Sequence, residues 1–231
     1  MPEKVWTEEE LRKVNDGLEG RGPEAALKWV ADNFDRAEFA LACSFADAVL
    51  VDMLVRIRDD ARVFYLDTGH LFVETLKTVE KVEKRYGIKV ERCSPRMTAD
   101  EVERVYGAEL WKRDPDKCCE LLKVEPLRKV LSGLKVWITG IRRDESETRA
   151  KTPIAGWDGK FNLIKVNPLA PWTKKEVWDY ICKNDVPYNE LLDRGYPSIG
   201  CRPCTRPSGN GEGDRAGRWA GFEKTECGIH K

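Results

Sequence analysis

Arg62-Val-Phe-Tyr-Leu-Asp-Thr-Gly69 is the stretch whose reading decides the fold. A short apolar run, Val63 to Leu66, stops at Asp-Thr-Gly, and a helical rhythm starts just beyond it at Phe72, Leu76, Val79, Val82 and Tyr86. A buried strand handing over through a tight loop to an amphipathic helix is the repeating unit of a parallel α/β sheet. Gly87 supplies the left-handed stop such a helix needs at its C-terminus. The same unit appears upstream, where residues 38–43 read as a strand and Asp47 to Ile57 as a helix carrying Val49, Leu50, Met53 and Leu54. Downstream, residues 88–93, 135–139 and 162–166 read as further strands, and Thr98 with Glu101 caps another helix. Thr173 with Glu176 opens the last helix, through Val177, Tyr180 and Ile181.

The chain before this pattern is helical. Thr7 and Glu10 form a capping box ahead of Leu11, Val14 and Leu18, and Pro23 suits the first turn of a helix bearing Leu27, Val30 and Phe34. The expected architecture is therefore α/β, a mostly parallel sheet with helices on both faces. The expected organisation is a helical segment over residues 1–35, an α/β domain over 36–194 and a cysteine-rich segment over 195–231. Ser208-Gly-Asn-Gly-Glu-Gly213 makes that last segment read as a flexible tail.

Composition narrows the function. Apolar residues make up 41% of the 231, enough for a sizeable core, yet no run approaches the roughly 20 needed to span a membrane. The N-terminus shows no apolar stretch of a secretory signal, so the expectation is a soluble cytoplasmic protein. Forty basic residues balance forty acidic ones, which excludes a general basic field for nucleic acid. Whether copies of the chain associate into a homo-oligomer stays open at this level.

The eight cysteines are too few for a disulfide scaffold, and their spacing is informative. Cys118 and Cys119 are adjacent, and Cys201-Arg-Pro-Cys204 lies far downstream. Two close pairs indicate one four-thiolate site, with zinc and an iron–sulfur cluster as candidates. Adjacent residues on a helix point about 100° apart, which suits separate corners of a cluster better than one small ion. Cys227 stands apart, in Glu226-Cys-Gly-Ile-His230, as a thiol able to reach a substrate and swing out to a reductant. Cys43, Cys93 and Cys182 read as packing residues and His70 as a loop or surface histidine. Arginines cluster locally despite the neutral balance: Arg142, Arg143 and Arg149 follow one strand, and Arg202, Arg206, Arg215 and Arg218 surround the tail cysteines. Guanidinium forks at strand ends suit phosphate or sulfate oxygens.

Taken together, Cys118-Cys119, Cys201-Arg-Pro-Cys204 and Glu226-Cys-Gly-Ile-His230 resemble the assimilatory adenylyl-sulfate (APS) reductases. Leu66-Asp-Thr-Gly69, Val166-Asn-Pro-Leu169 and Tyr196-Pro-Ser-Ile-Gly-Cys201 extend the resemblance over residues 35–231. It implies an adenine-nucleotide alpha-hydrolase-like fold, with residues 36–194 a nucleotide-binding reductase domain, and a [4Fe-4S] cluster on Cys118, Cys119, Cys201 and Cys204. It also implies attack by Cys227 on the sulfur of APS, with AMP expelled, and release of sulfite by thioredoxin or a similar dithiol. The matching substrate residues are Ser44 and Leu66 in strand-end loops, Lys123 between cluster and substrate, and Gly140 near the adenine. Arg149 matches a residue near ribose and phosphate, Arg215 and Arg218 residues at the phosphosulfate, and His230 one near the nucleophile. Ser44-Phe-Ala-Asp-Ala48 departs from the glycine-containing loop of many relatives. The rival readings are a reductase for the 3′-phosphorylated nucleotide (PAPS), an iron–sulfur ATP pyrophosphatase such as a tRNA-thiolating enzyme, and a zinc-stapled binding module. The pyrophosphatase requires a Ser-Gly-Gly-x-Asp-Ser loop, which Ser44-Phe-Ala-Asp-Ala does not provide.

Overall fold

Strands buried on both faces form the centre of the sheet. The computed structural model describes residues 6–209 and 211–230. Residues 1–5 of the expected N-terminal segment and residue 210 of the glycine-rich run lie outside the described residues. Six strands occur in the sheet order β3-β2-β1-β4-β6-β5. They are β1 (Phe39–Ala42), β2 (Val63–Leu66), β3 (Glu91–Cys93), β4 (Val136–Ile138), β5 (Ala155–Asp158) and β6 (Leu163–Val166). The pairings β1 with β4, β2 with β3 and β4 with β6 are parallel, and β5 joins β6 antiparallel. Phe39, Ala40 and Leu41 are all buried, as are Val136, Trp137 and Ile138, as expected of parallel strands covered by other elements.

The chain divides into two compact units, with β2 beginning in the first and continuing into the second. The first comprises residues up to Cys43, Val49–Val63 and Gly133–Asp185. It contains helices α1 (Glu8–Leu18), α2 (Pro23–Asn33), α3 (Val49–Ile57) and α9 (Lys174–Asn184). Thr7 and Thr173 close their helices with the expected capping boxes, and Pro23 opens α2. Strand order reverses between β1 and β4, the place where open α/β sheets form ligand sites, and Gly140 lies just past the end of β4.

The second unit comprises Ser44–Ala48, Phe64–Ser132 and Val186–Lys231. Its helices are α4 (Val73–Tyr86), α5 (Ala99–Tyr106), α6 (Leu110–Arg113), α7 (Pro115–Cys119) and α8 (Glu125–Leu131). Gly87 ends α4 in the left-handed conformation at φ 65°, and Thr98 caps α5 through a capping box.

Two differences from the sequence expectation have local causes. Strand β3 starts at Glu91 rather than residue 88, because the Val90 N–H donates to the Glu83 side chain (2.9 Å) instead of a ladder. Strand β5 was not expected at all. It is an edge strand containing Gly156, and its entry is held by Asn15, whose Oδ1 accepts from Ile154 N (2.8 Å). Among the described residues no helix is long and apolar enough to cross a membrane.

One buried polar contact in the first unit is a direct test of its packing. The Asp52 carboxylate on α3 is buried; it pairs with Arg56 at 2.9 Å and accepts from Tyr180 Oη of α9 at 2.7 Å. Burial and that carboxylate raise the Tyr180 pKa well above its ordinary value. Tyr180→Phe leaves the carboxylate one donor short and should destabilise the protein by about 1–3 kcal/mol. A lowered urea midpoint with unchanged far-UV circular dichroism is expected, and an unchanged midpoint would contradict the role given to this bond.

Candidate active site

The tandem cysteines sit where a helix widens. Asp114 caps α7 by accepting from Lys117 N (2.9 Å), Pro115 occupies the first turn, and the helix ends at Cys118 and Cys119. Residues Glu120–Val124 then form a π-turn in which Glu125 N–H donates to Glu120 O, before α8 resumes. Pro126, in the first turn of α8, has no N–H to donate and its ring crowds the carbonyl four residues back, which favours a widened turn here. Through this turn Cys118, Cys119, Leu122 and Lys123 all line one cavity.

The second cysteine pair comes from the opposite end of the unit's sequence. Cys201-Arg-Pro-Cys204 is a 3₁₀ turn closed by Cys204 N–H to Cys201 O (3.0 Å), with Thr205 Oγ1 donating to the same carbonyl (2.8 Å). The loop after β2 holds it: Arg202 N–H donates to His70 O (2.7 Å), and Thr68 Oγ1 lies 3.2 Å from Cys201 Sγ in a buried hydrogen bond. Gly200 packs closely against Arg218 beside this turn, and a Cβ there would make the guanidinium shift. Cys201, Cys204 and His70 line the same cavity as Cys118 and Cys119. Among the described residues no three His, Cys, Asp or Glu donors stand close enough together to hold a single metal ion.

The electrostatics of the cavity are uneven. Burial, with the neighbouring thiols Cys119, Cys201 and Cys204, pushes Cys118 up to about 12, and burial with Cys201 pushes Cys204 up to about 11. Burial also raises Cys119, against the pull of Lys123 and Lys224, and Cys227 adds to the rise. Burial works against the charge of Lys123, but Cys201, Cys227 and Cys119 outweigh it, so its pKa is raised. Burial holds His70 below the ordinary imidazole range. The cavity thus gathers three thiols that resist ionisation, Cys118, Cys119 and Cys204, beside the Lys123 ammonium.

The C-terminal residues fold against this unit through named contacts. Arg206 N–H donates to Gly217 O (2.9 Å) and Trp219 N–H to Cys204 O (3.1 Å). Trp219 is buried in the left-handed region (φ 49°), a conformation that costs a non-glycine residue about 1–2 kcal/mol and that its packing must offset. Three cations surround its ring: Arg218 at 4.5 Å, Lys224 at 5.7 Å and Arg215 at 5.8 Å. Arg218 donates to Ser198 Oγ (3.3 Å), and Arg215 donates to Thr225 O (2.8 Å) and pairs with Glu226 (3.1 Å). Cys227 and His230 are half-buried, and a Cβ on Gly228 would lie 3.6 Å from Val124 of the π-turn. Cys227 is close enough to bear on the pKa values of both Lys123 and Cys119.

The second unit therefore contains Cys118, Cys119, Cys201, Cys204, Lys123, Arg215, Arg218, Cys227 and His230, together with Ser44 and Leu66. Ser44 is exposed just before Phe45, which takes a left-handed backbone (φ 55°), and Leu66 ends β2. Gly140 and Arg149 belong to the first unit, where Arg149 pairs with Glu145 at 2.5 Å. The neighbouring arginines are also bound to carboxylates, Arg142 to Asp144 and Arg143 to Glu19. One packing expectation fails: Cys182 is exposed on α9, and Cys43 and Cys93 are only half-buried. The sequence reading quoted Thr68 and Glu226 only within motifs, gave Lys224 no role and left His70 a loop or surface residue. A lysine and a glutamate flanking a terminal cysteine look like any solvated pair until the contacts are visible.

The family model for the phosphoadenosine phosphosulfate reductase domain matches residues 38–207. The adenosine 5′-phosphosulfate reductase of Geobacillus kaustophilus (strain HTA426) is 46% identical over 228 residues, covering 97% of each chain. Adenosine 5′-phosphosulfate reductase 1 of Bacillus subtilis (strain 168) is 44% identical over 214 residues, covering 91% of each. Among solved structures, the phosphoadenylyl-sulfate (PAPS) reductase of Candida auris in its phosphate complex superposes with a TM-score of 0.78 at 29% identity, covering 88% of this chain and 99% of that one. The family model matches well over half of the sequence, and the chain belongs to the phosphoadenosine phosphosulfate reductase family.

Proposed function

We propose that this protein reduces adenosine 5′-phosphosulfate to sulfite and AMP, as an oxidoreductase of sulfate assimilation and cysteine biosynthesis, with Cys227 as the nucleophile. The observation that carries this reading is the position of Cys227, within electrostatic reach of Lys123 and Cys119 and on a tail that also bears Arg215 and Arg218. The Cys227 thiolate attacks the sulfur of APS. A sulfur–sulfur bond forms, the bond from sulfur to the bridging phosphate oxygen breaks, and AMP departs with that electron pair, leaving an S-sulfocysteine. Charge develops on the departing phosphate, and Lys123, Arg215 and Arg218 are the cations proposed to stabilise it. His230 is proposed to act beside the nucleophile, Ser44 and Leu66 to line the nucleotide, Gly140 to face adenine and Arg149 the ribose and phosphate.

A dithiol completes the cycle. One of its thiolates attacks Cys227 Sγ and sulfite leaves with the bonding pair; the second thiol then displaces Cys227, so two electrons pass from the dithiol to sulfur. Thioredoxin is the reductant proposed, in the cytoplasm, where such dithiols stay reduced.

Cys118, Cys119, Cys201 and Cys204 are the residues proposed to hold a [4Fe-4S] cluster. The donor set fits: four sulfurs line one cavity, and burial keeps Cys118 and Cys204 protonated unless a positive core offsets it. Such a cluster would supply a positive core that offsets the charge of its four thiolates, and Lys123, whose ammonium stays charged beside them, would be the residue that faces an anionic substrate. The alternative substrate is the 3′-phosphorylated nucleotide, with which the fold shared with the Candida auris PAPS reductase is consistent.

Two substitutions separate these roles. Cys227→Ser should abolish sulfite formation, by at least about a thousandfold, while the brown iron chromophore and AMP binding are retained; turnover within tenfold of the unaltered protein would refute the nucleophile assignment. Cys201→Ala should instead lose the visible chromophore and most of the iron by metal analysis. Zinc in place of iron in the unaltered protein would contradict the cluster.

A further inference from the structure

The tail reaches outside itself at a buried lysine. Lys224 lies three residues before Cys227, and its side chain is only 4% exposed. Its ammonium meets Asp116 Oδ1 at 2.5 Å and Pro115 O at 3.1 Å, and sits 5.7 Å from the Trp219 ring. Both oxygen partners belong to the first turn of α7, the helix that carries Cys118 and Cys119. Arg215, by contrast, holds Thr225 and Glu226 from within the tail.

We propose that the Lys224–Asp116 ion pair is a latch that docks the tail on the tandem-cysteine helix and thereby positions Cys227 for attack. Lys224 and Asp116 are positioning residues, acting through Cys227. The inference rests on the assignment of Cys227 as nucleophile and adds what places it.

Three features support the latch. Three residues of chain span at most about 10 Å, so anchoring Lys224 confines Cys227 to the neighbourhood of the π-turn, where Gly228 approaches Val124. A buried ammonium needs a paired anion, and Asp116 supplies the charge that the Pro115 carbonyl lacks, so the closed tail is favoured while Asp116 is in place. Asp116 itself is 71% exposed, and solvent on that side keeps the pair weak enough to open. The reaction needs both positions. Attack requires a thiol held at the substrate, whereas release of sulfite requires an S-sulfocysteine that a bulky dithiol protein can reach.

The test uses the iron-loaded protein and reads three rates: formation of the SO3 adduct from APS by rapid-quench intact mass, loss of that adduct to dithiothreitol, and alkylation of Cys227 by iodoacetamide without substrate, mapped by peptide mass. Asp116→Ala should slow adduct formation about tenfold, equivalent to about 1.4 kcal/mol, and speed both adduct loss and alkylation at least threefold. Asp116→Glu should restore all three rates, and the chromophore should persist in both variants. Unchanged alkylation, unchanged adduct formation, or a parallel slowing of every rate overturns the latch. Failure of the reductase reading is separately visible as no adduct in the unaltered protein, in which case faster alkylation in Asp116→Ala still reports the latch.

Discussion

Burying four cysteine sulfurs around one cavity is the constraint on which the second unit depends. Thiols removed from water resist ionisation, and here Cys118 and Cys204 are pushed up to about 12 and about 11, with Cys119 raised as well. Such a group is of little use as a ligand set without positive charge among its members. Lys123 is the cation the chain itself provides, and its own charge is maintained by the sulfurs around it. The surrounding architecture brings these groups together from distant parts of the sequence. The loop after β2 fastens the Cys201 turn, and the π-turn before Pro126 lets the adjacent cysteines and Lys123 share one cavity.

The tail extends the same logic. Its cations are held by an aromatic ring, carboxylates and backbone oxygens, so Arg215, Arg218 and Lys224 are positioned by the chain itself. Preorganised charge costs no reorganisation when an anion arrives. Trp219 is central to this arrangement, and its left-handed backbone is tolerated because the side chain is buried beneath the guanidinium groups. A neutral overall composition therefore conceals a locally cationic tail, since the forty acidic residues are not distributed around it evenly.

Much of the fold was legible because its signals are local. Thr7, Thr98 and Thr173 each cap a helix through a glutamate three residues on, and Gly87 ends α4, all within one turn of chain. The short apolar runs of β1, β2, β4 and β6 are recognisable because parallel strands are buried on both faces. Strand β5 was not, because Ala-Gly-Trp-Asp carries little strand propensity and exists by pairing with β6 and by the Asn15 contact. Cys227 drew its expected role only from the family resemblance, whereas the two cysteine pairs that line one cavity could be read from spacing. The Lys224–Asp116 contact could not, since it joins residues 108 positions apart and neither is unusual in its own neighbourhood. The arginines after β4 read as an anion site, yet Arg142, Arg143 and Arg149 each pair with a carboxylate, which charge counting cannot foresee.

The central claim is that Cys227 takes the sulfonate group from the nucleotide, and intact protein mass tests it most directly. The iron-loaded protein is incubated anaerobically with APS, and separately with its 3′-phosphorylated counterpart, with no thiol present. The expected result is one added SO3 group on Cys227 from APS, removed on addition of thioredoxin. Absence of any adduct with either nucleotide, from protein carrying its full iron content, would contradict the account.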